Sequence, residues 1–292
     1  MRWVTLLLIA ASANAGAVTP VDIGTAATVY QDAAIRQQVR ASLVNMPTQV
    51  RRLFESETSA KLSDVQLTAV TEAAKRGFRI DVFEAPALAV FAANLDADTV
   101  KKTEAFLAGD LGRRMVAADV AIAALDQSEL DKIMNGSETA PATPAREALF
   151  DKIERASRST EAAVQIFLTM GSAVAVGTAV GAGSDPAPVG QRSHQAGEES
   201  RANLEQSLRQ PLRRYLAYGY RDLSDDDLKH VLQFLESKAG KRYISAYVAS
   251  MDAGFNAMGR RCGEQLGESL RELAQAQLAT TQRDDAPAVT KP

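Results

Sequence analysis

The sequence predicts an all-α protein made of two tandem helical repeats. Three observations carry that expectation: an internal duplication, apolar residues at helical spacing without sustained strand-like alternation, and a composition of 46% apolar but only 5% aromatic residues. The duplication is direct: LDADTVKKTEAFLAGDLGRRMVAADV, from Leu95 to Val120, aligns without a gap on LSDDDLKHVLQFLESKAGKRYISAYV, from Leu223 to Val248. Leu95/Leu223, Asp98/Asp226, Lys101/Lys229, Phe106/Phe234, Leu107/Leu235, Gly112/Gly240, Arg114/Arg242 and Val120/Val248 are identical pairs at a constant offset of 128.

The first element is not structural. Met1-Arg2 is a short basic start, Trp3 to Ala11 is apolar, and Ala13-Asn14-Ala15 is a small-x-small cleavage pattern. These features predict a signal peptide (1–15), cleavage after Ala15 and export to a periplasm of the Gram-negative type. Cleavage would leave 277 of the 292 residues and a formal charge of −4 in place of −3. A mildly acidic chain lacks the concentrated basic surface that nucleic acid needs, so that partner class is excluded. Cys262 is the only cysteine, so no intramolecular disulfide can form and stability must come from burial.

Polar stretches rich in Pro or Gly divide the remainder. Residues 16–134 form the first repeat unit, 135–145 (NGSETAPATPA) the linker and 146–279 the second unit. A mobile loop is expected at 181–199 and a disordered tail at 280–292. Each unit opens with a long helical stretch. The first runs from about Ala27 to Ser56 with a break near Pro47, and the second from Arg146 to about Val180. A further stretch follows in each, from about Ser63 to Ala93 with a break near Pro86, and from Ser200 to Tyr220.

The repeated signature closes each unit as an αα-hairpin. In the second copy Ser224 is the expected N-cap, Asp225, Asp226 and Asp227 suit the positive end of the helix dipole, and Leu228, Val231, Leu232 and Leu235 form the apolar stripe. Gly240 is expected to stop this helix in the left-handed conformation, with Lys238 and Lys241 at its negative end. A return helix from about Lys241 presents Ile244, Tyr247, Met251, Phe255, Met258, Cys262, Leu266, Leu270 and Leu273 on one face. Burying Phe234 in the hairpin should contribute on the order of 1.5–3 kcal/mol.

The order of acidic helix start, Phe234, Ser237, Gly240-Lys241 and apolar helix resembles a bacterial exported domain catalogued as domain of unknown function 2059. The resemblance covers about 26 residues per unit, and the first copy departs from it: Gly109 replaces Ser237 and Arg113 replaces Lys241. It implies a small, exported, largely helical protein and brings no catalytic residues.

Catalytic and metal motifs are scarce. His194 falls in the expected loop and His230 at the edge of a solvated helix face, and neither has metal-ligand spacing. No G-x-S-x-G, S-x-x-K or Walker-type G-K-[ST] occurs. Asn94, Asp96 and Asp98 alternate like a calcium loop, but Thr99 and Ala105 stand where that loop needs Gly and Glu. No catalytic residue, metal or cofactor is assigned.

Three features bear on binding. Tyr215, Tyr218 and Tyr220, with Arg213, Arg214 and Arg221 interleaved, could form an aromatic-basic groove for a glycan, lipid headgroup or peptide, or a larger aromatic core. Gly259, Gly263 and Gly267 would permit a tight helix contact within the fold or in a homodimer. Ala162 to Gly183 is uncharged over 22 residues and long enough to span a bilayer, though its basic flank and its position between the repeats favour a buried helix. The expected function is a non-enzymatic envelope binding or interaction module for an envelope protein, cell-wall or lipid component. A membrane-peripheral lipid binder using 162–183 is the alternative, and an enzyme of unrecognised type the third.

Overall fold

The computed structural model describes residues 19–57, 63–139 and 142–284, and is helical throughout, with no strand among them. The signal segment expected at 1–15 lies outside these residues, as do 285–292 of the expected tail. Thirteen helices are described: α1 Ile23–Asp32, α2 Ile35–Leu43, α3 Met46–Glu57, α4 Asp64–Gly77, α5 Ile80–Asn94, α6 Ala97–Leu107, α7 Asp110–Ala123, α8 Gln127–Asn135, α9 Pro144–Ser157, α10 Ser159–Ala182, α11 Ala187–Gly219, α12 Asp225–Glu236 and α13 Lys238–Asp284.

Side-chain caps set many of the helix starts. Asp22, Asp96 and Thr143 accept from the backbone N–H three residues on, and Ser63/Gln66, Asp126/Glu129 and Ser224/Asp227 form reciprocal capping boxes. The breaks depart from expectation in four places. The 27–56 stretch breaks at Ala34 (φ 50°) as well as before Pro47. The 63–93 stretch breaks at Phe78-Arg79, and Pro86 is accommodated inside α5. Arg158 (φ 55°) separates α9 from α10. The expected mobile loop at 181–199 is instead a short turn through Gly183 (φ 78°) followed by the first three turns of α11. There Gly190 and Gly197 face Val176 and Leu168 of α10.

Gly240 corrects a further expectation. It is helical, and α12 ends earlier, at Ser237, whose hydroxyl caps the start of α13 by accepting from the Gly240 N–H at 3.0 Å. Its lack of a side chain serves a close approach, because a Cβ there would lie 1.9 Å from the Phe234 carbonyl oxygen. Gly112 stands in the same relation to Phe106, where a Cβ would come within 2.2 Å of the carbonyl oxygen.

Packing is organised around α13, whose 47 residues span roughly 70 Å. On one side it meets α4, α5 and α6, and on another α10. The α10 contact is a glycine seam. A Cβ on Gly259 would lie 2.8 Å from the Met170 carbonyl oxygen, one on Gly263 2.1 Å from that of Val174, and one on Gly267 2.2 Å from that of Thr178. From the other side, Gly177 and Gly181 sit against the carbonyls of Arg260 and Glu264 at 2.3 and 2.1 Å by the same measure. The glycine row therefore makes its contact within the fold. Phe83, Phe91, Phe150, Leu228 and Met258 are fully buried and belong to one continuous core. That core draws on residues from both sides of the 135–145 stretch, whose described part turns at Gly136 (φ 84°).

The consecutive helix pairs α6–α7 and α12–α13 meet directly. The Phe106 and Phe234 rings stack with centroids 4.0 Å apart and planes 1° from parallel. Arg114 bridges to Asp227 at 2.8 Å, and Arg242 reaches Asp96 at 3.5 Å in the opposite sense.

Candidate functional site

Where α2, α7, α10, α11, α12 and α13 converge, the core leaves a cavity of about 360 Å³. Its wall is mostly apolar: Leu107, Val116, Ile166, Leu216, Met251 and Phe255 supply much of it. A cavity of this size with a few placed polar groups has the character of a small-molecule site. Asp119 of α7 is the single charged side chain among its described lining residues.

Helical spacing aims these groups. Met115, Val116, Asp119 and Ala123 recur at one to four residues on α7, and Tyr243, Ile244, Tyr247 and Met251 do the same on α13, so each helix offers one stripe to the cavity. From α11, Tyr215, Leu216 and Tyr220 point the same way. The Tyr220 hydroxyl donates to Asp119 Oδ1 at 2.9 Å. Asp119 Oδ2 has no protein partner among the described residues yet keeps accessible surface, as does each hydroxyl of Tyr215, Tyr243 and Tyr247.

Burial governs the electrostatics. Removal from water pushes the Asp119 carboxyl up to about 7, against a smaller opposing effect of the Tyr220 hydrogen bond. No Arg, Lys or His forms an ion pair with it among the described residues. Burial also raises the phenols: Tyr247 to about 12, and Tyr215, Tyr220 and Tyr243 further, with the Asp119 charge adding to each shift. All four remain neutral donors at physiological pH.

The structure divides the residues expected to form one aromatic-basic groove. Tyr215 and Tyr220 turn inward to the cavity. Arg213 pairs with Glu147 and Asp151 at 3.0 Å each, Arg214 donates to the Met134 carbonyl, and the Tyr218 hydroxyl donates to Glu138 at 2.9 Å. Arg221 lies over the Tyr218 ring at 4.3 Å. Arg213, Arg214 and Tyr218 thus fasten α11 to α9, α8 and the turn after α8. Phe106, Gly112, Phe234 and Gly240 belong to the helix-pair contacts described above, and Phe234 also borders the cavity.

Other residues have structural surroundings. Arg146 is only 13% exposed along its side chain; it pairs with Asp225 at 2.6 Å and donates to the carbonyls of Tyr220, Arg221 and Leu223, clamping the α11–α12 turn. Cys262 is buried beside Gly77, and burial pushes its thiol up to about 12. His230 is exposed on α12, and His194 lies on α11. No group of three or more His, Cys, Asp or Glu side chains comes together among the described residues. Asp119 carried no motif in the sequence; its one signal was standing opposite Tyr247 in the alignment of the two copies. Comparison of the chain with protein-family models, curated proteins and solved structures finds no match.

Proposed function

We propose that this chain is an exported, non-enzymatic binding protein of the bacterial cell envelope that holds a small, mostly apolar ligand between two tandem helical repeats. The observation that carries the reading is a central apolar cavity holding one carboxylate, with an unpartnered Oδ2, and three unpartnered tyrosine hydroxyls. Unused hydrogen-bonding groups in a mostly apolar wall can take up a ligand's polar group.

The repeat reading is supported by four agreements at the offset of 128. Asp96 and Ser224 cap equivalent helices, α7 and α13 begin at equivalent residues, Gly112 and Gly240 meet equivalent carbonyls, and Phe106 stacks on Phe234. The envelope location and the likeness to the exported 2059 domain rest on Met1 to Ala15 and on the signature residues.

Titration of the purified chain with N-phenyl-1-naphthylamine, a neutral fluorescent apolar probe, tests the cavity. Saturable one-site binding is expected in the wild type and should be lost when the cavity is filled by Ala123→Phe or Ala163→Phe, both wall positions. Unchanged binding in both folded variants would remove the reading.

A second reading, peripheral membrane association through α10, draws on the exposure of Phe167 (50%) and Val180 (42%) on a helix long and apolar enough to cross a membrane. Against a span, α10 is seated by its glycines on α13, which carries Arg260, Arg261, Glu264 and Glu268. Liposome flotation checks this: a chain that stays at the bottom with both anionic and neutral vesicles excludes it.

A further inference from the structure

We infer that the ligand of the central cavity is a lipophilic cation, an apolar body carrying one amine or quaternary ammonium group that sits on Asp119 among the rings of Tyr215, Tyr220, Tyr243 and Tyr247. The inference rests on the cavity reading above and deepens it. Asp119 is the wall's only described charge, and one of its oxygens is open to the cavity while the other holds a single phenol. Four interhelical carboxylates pair with arginine: Asp227 with Arg114, Asp225 with Arg146, Asp96 with Arg242, Asp151 with Arg213. At Asp119 no such cation comes from the protein, so a ligand of that charge completes the pair.

The tyrosines fit the same chemistry. Their ring faces carry the negative end of the aromatic quadrupole and attract a cation most strongly where water is excluded. An anionic ligand would meet both the carboxylate and these faces and be repelled. A neutral alcohol could hydrogen-bond but would leave an ionised Asp119 buried without a countercharge.

The groups bearing on Asp119's ionisation are the four phenols from α11 and α13, all neutral near pH 7, and the uncharged Gln38, Ser42, Ser157 and Ser159 from α2, α9 and α10. With the carboxyl at about 7, a permanently charged ligand binds the ionised form. Its affinity should therefore rise about tenfold from pH 6 to pH 8, as the ionised fraction grows.

The test uses the full chain and isothermal titration with octyltrimethylammonium, octan-1-ol and octane-1-sulfonate. The cation should bind at least tenfold tighter than the other two at pH 8. Asp119→Asn should abolish that preference and its pH dependence while still binding N-phenyl-1-naphthylamine, which shows that the cavity is intact. Tyr247→Leu should weaken the cation more than the alcohol. Octanol binding as tightly as the cation, or an Asp119→Asn variant that keeps the preference, would overturn the inference while leaving the apolar cavity standing. Failure of the wild type to bind the neutral probe would overturn the cavity reading with it.

Discussion

Alanine at Gly263 probes one of the two tightest contacts of the α10–α13 seam. Its Cβ would lie 2.1 Å from the Val174 carbonyl oxygen and 2.7 Å from the Thr178 amide nitrogen. Both atoms are backbone, so no side chain can swing aside and the helices would have to part by roughly 1 Å or more to reach ordinary contact distances. Overpacking of this kind costs about 1–3 kcal/mol and would also loosen the neighbouring glycine contacts. Alanine regains about 1 kcal/mol of helix propensity, leaving a net loss of up to about 2 kcal/mol. At about 2–4 °C per kcal/mol for a chain near this size, Tm should fall by up to roughly 8 °C. Gly171, on α10, is the internal control: its added Cβ meets nothing within 4 Å, so Gly171→Ala should raise Tm slightly through propensity alone. Circular-dichroism melts of the two variants decide the matter. If both raise Tm, α10 does not rest on α13 as described, and the glycine row loses its intramolecular role.

Three further predictions use other parts of the molecule. The Asp119 carboxyl stands at about 7 in the fold against an ordinary 3.8, so between those values the folded state holds more protons than the unfolded chain. Stability should therefore fall as pH rises from about 4 to about 7, and Asp119→Asn, compared by urea denaturation at several pH values, should flatten that slope. Arg146→Ala breaks a nearly buried ion pair and three carbonyl contacts and should cost about 2–4 kcal/mol, whereas Arg114→Ala, at a 43% exposed side chain, should cost no more than about 1 kcal/mol in the same assay. The Cys262 thiol, buried and pushed up to about 12, should react with Ellman's reagent only as fast as the chain opens, and fast reaction in the native state would contradict its packing beside Gly77.

Much of the fold was legible because local rules acted alone. Ser224 and its acidic followers cap α12 as their order requires, and the apolar stripe Leu228, Val231, Leu232 and Leu235 is buried as its spacing requires. Where sequence reasoning failed, a distant partner decided the outcome. Gly240 looks like a helix stop in one dimension and proves to be a contact with the Phe234 carbonyl in three. Residues 181–199 have the composition of a loop, yet Pro186 and Pro188 fall at a helix start, where proline lacks nothing, and Gly190 and Gly197 face α10. The tyrosine-arginine run looked like one surface because its residues adjoin in sequence. Helical rotation sends Tyr215 and Tyr220 inward and gives Arg213, Arg214 and Tyr218 to α9, α8 and the turn beyond it.

The cavity's position follows from the way the two helix pairs meet. On the repeat reading, Met115 and Tyr243, Val116 and Ile244, Asp119 and Tyr247, and Ala123 and Met251 are equivalent residues, and all eight face the same space. The stack of Phe106 on Phe234 and the Gly112 and Gly240 contacts set how closely the helix pairs approach, and those residues are identical in the two copies. The wall beyond the stack is free of that requirement and has diverged. α7 contributes Val116, Asp119 and Ala123 at three of the four places, where α13 contributes the larger Ile244, Tyr247 and Met251. Equal residues would have produced a symmetric space with two equivalent ends. Unequal ones place a single carboxylate opposite aromatic rings, so a ligand bearing one charge has one orientation in which its polar end is satisfied. On the repeat and binding readings proposed above, divergence between the copies falls where it would alter recognition and spares the contacts between the helix pairs.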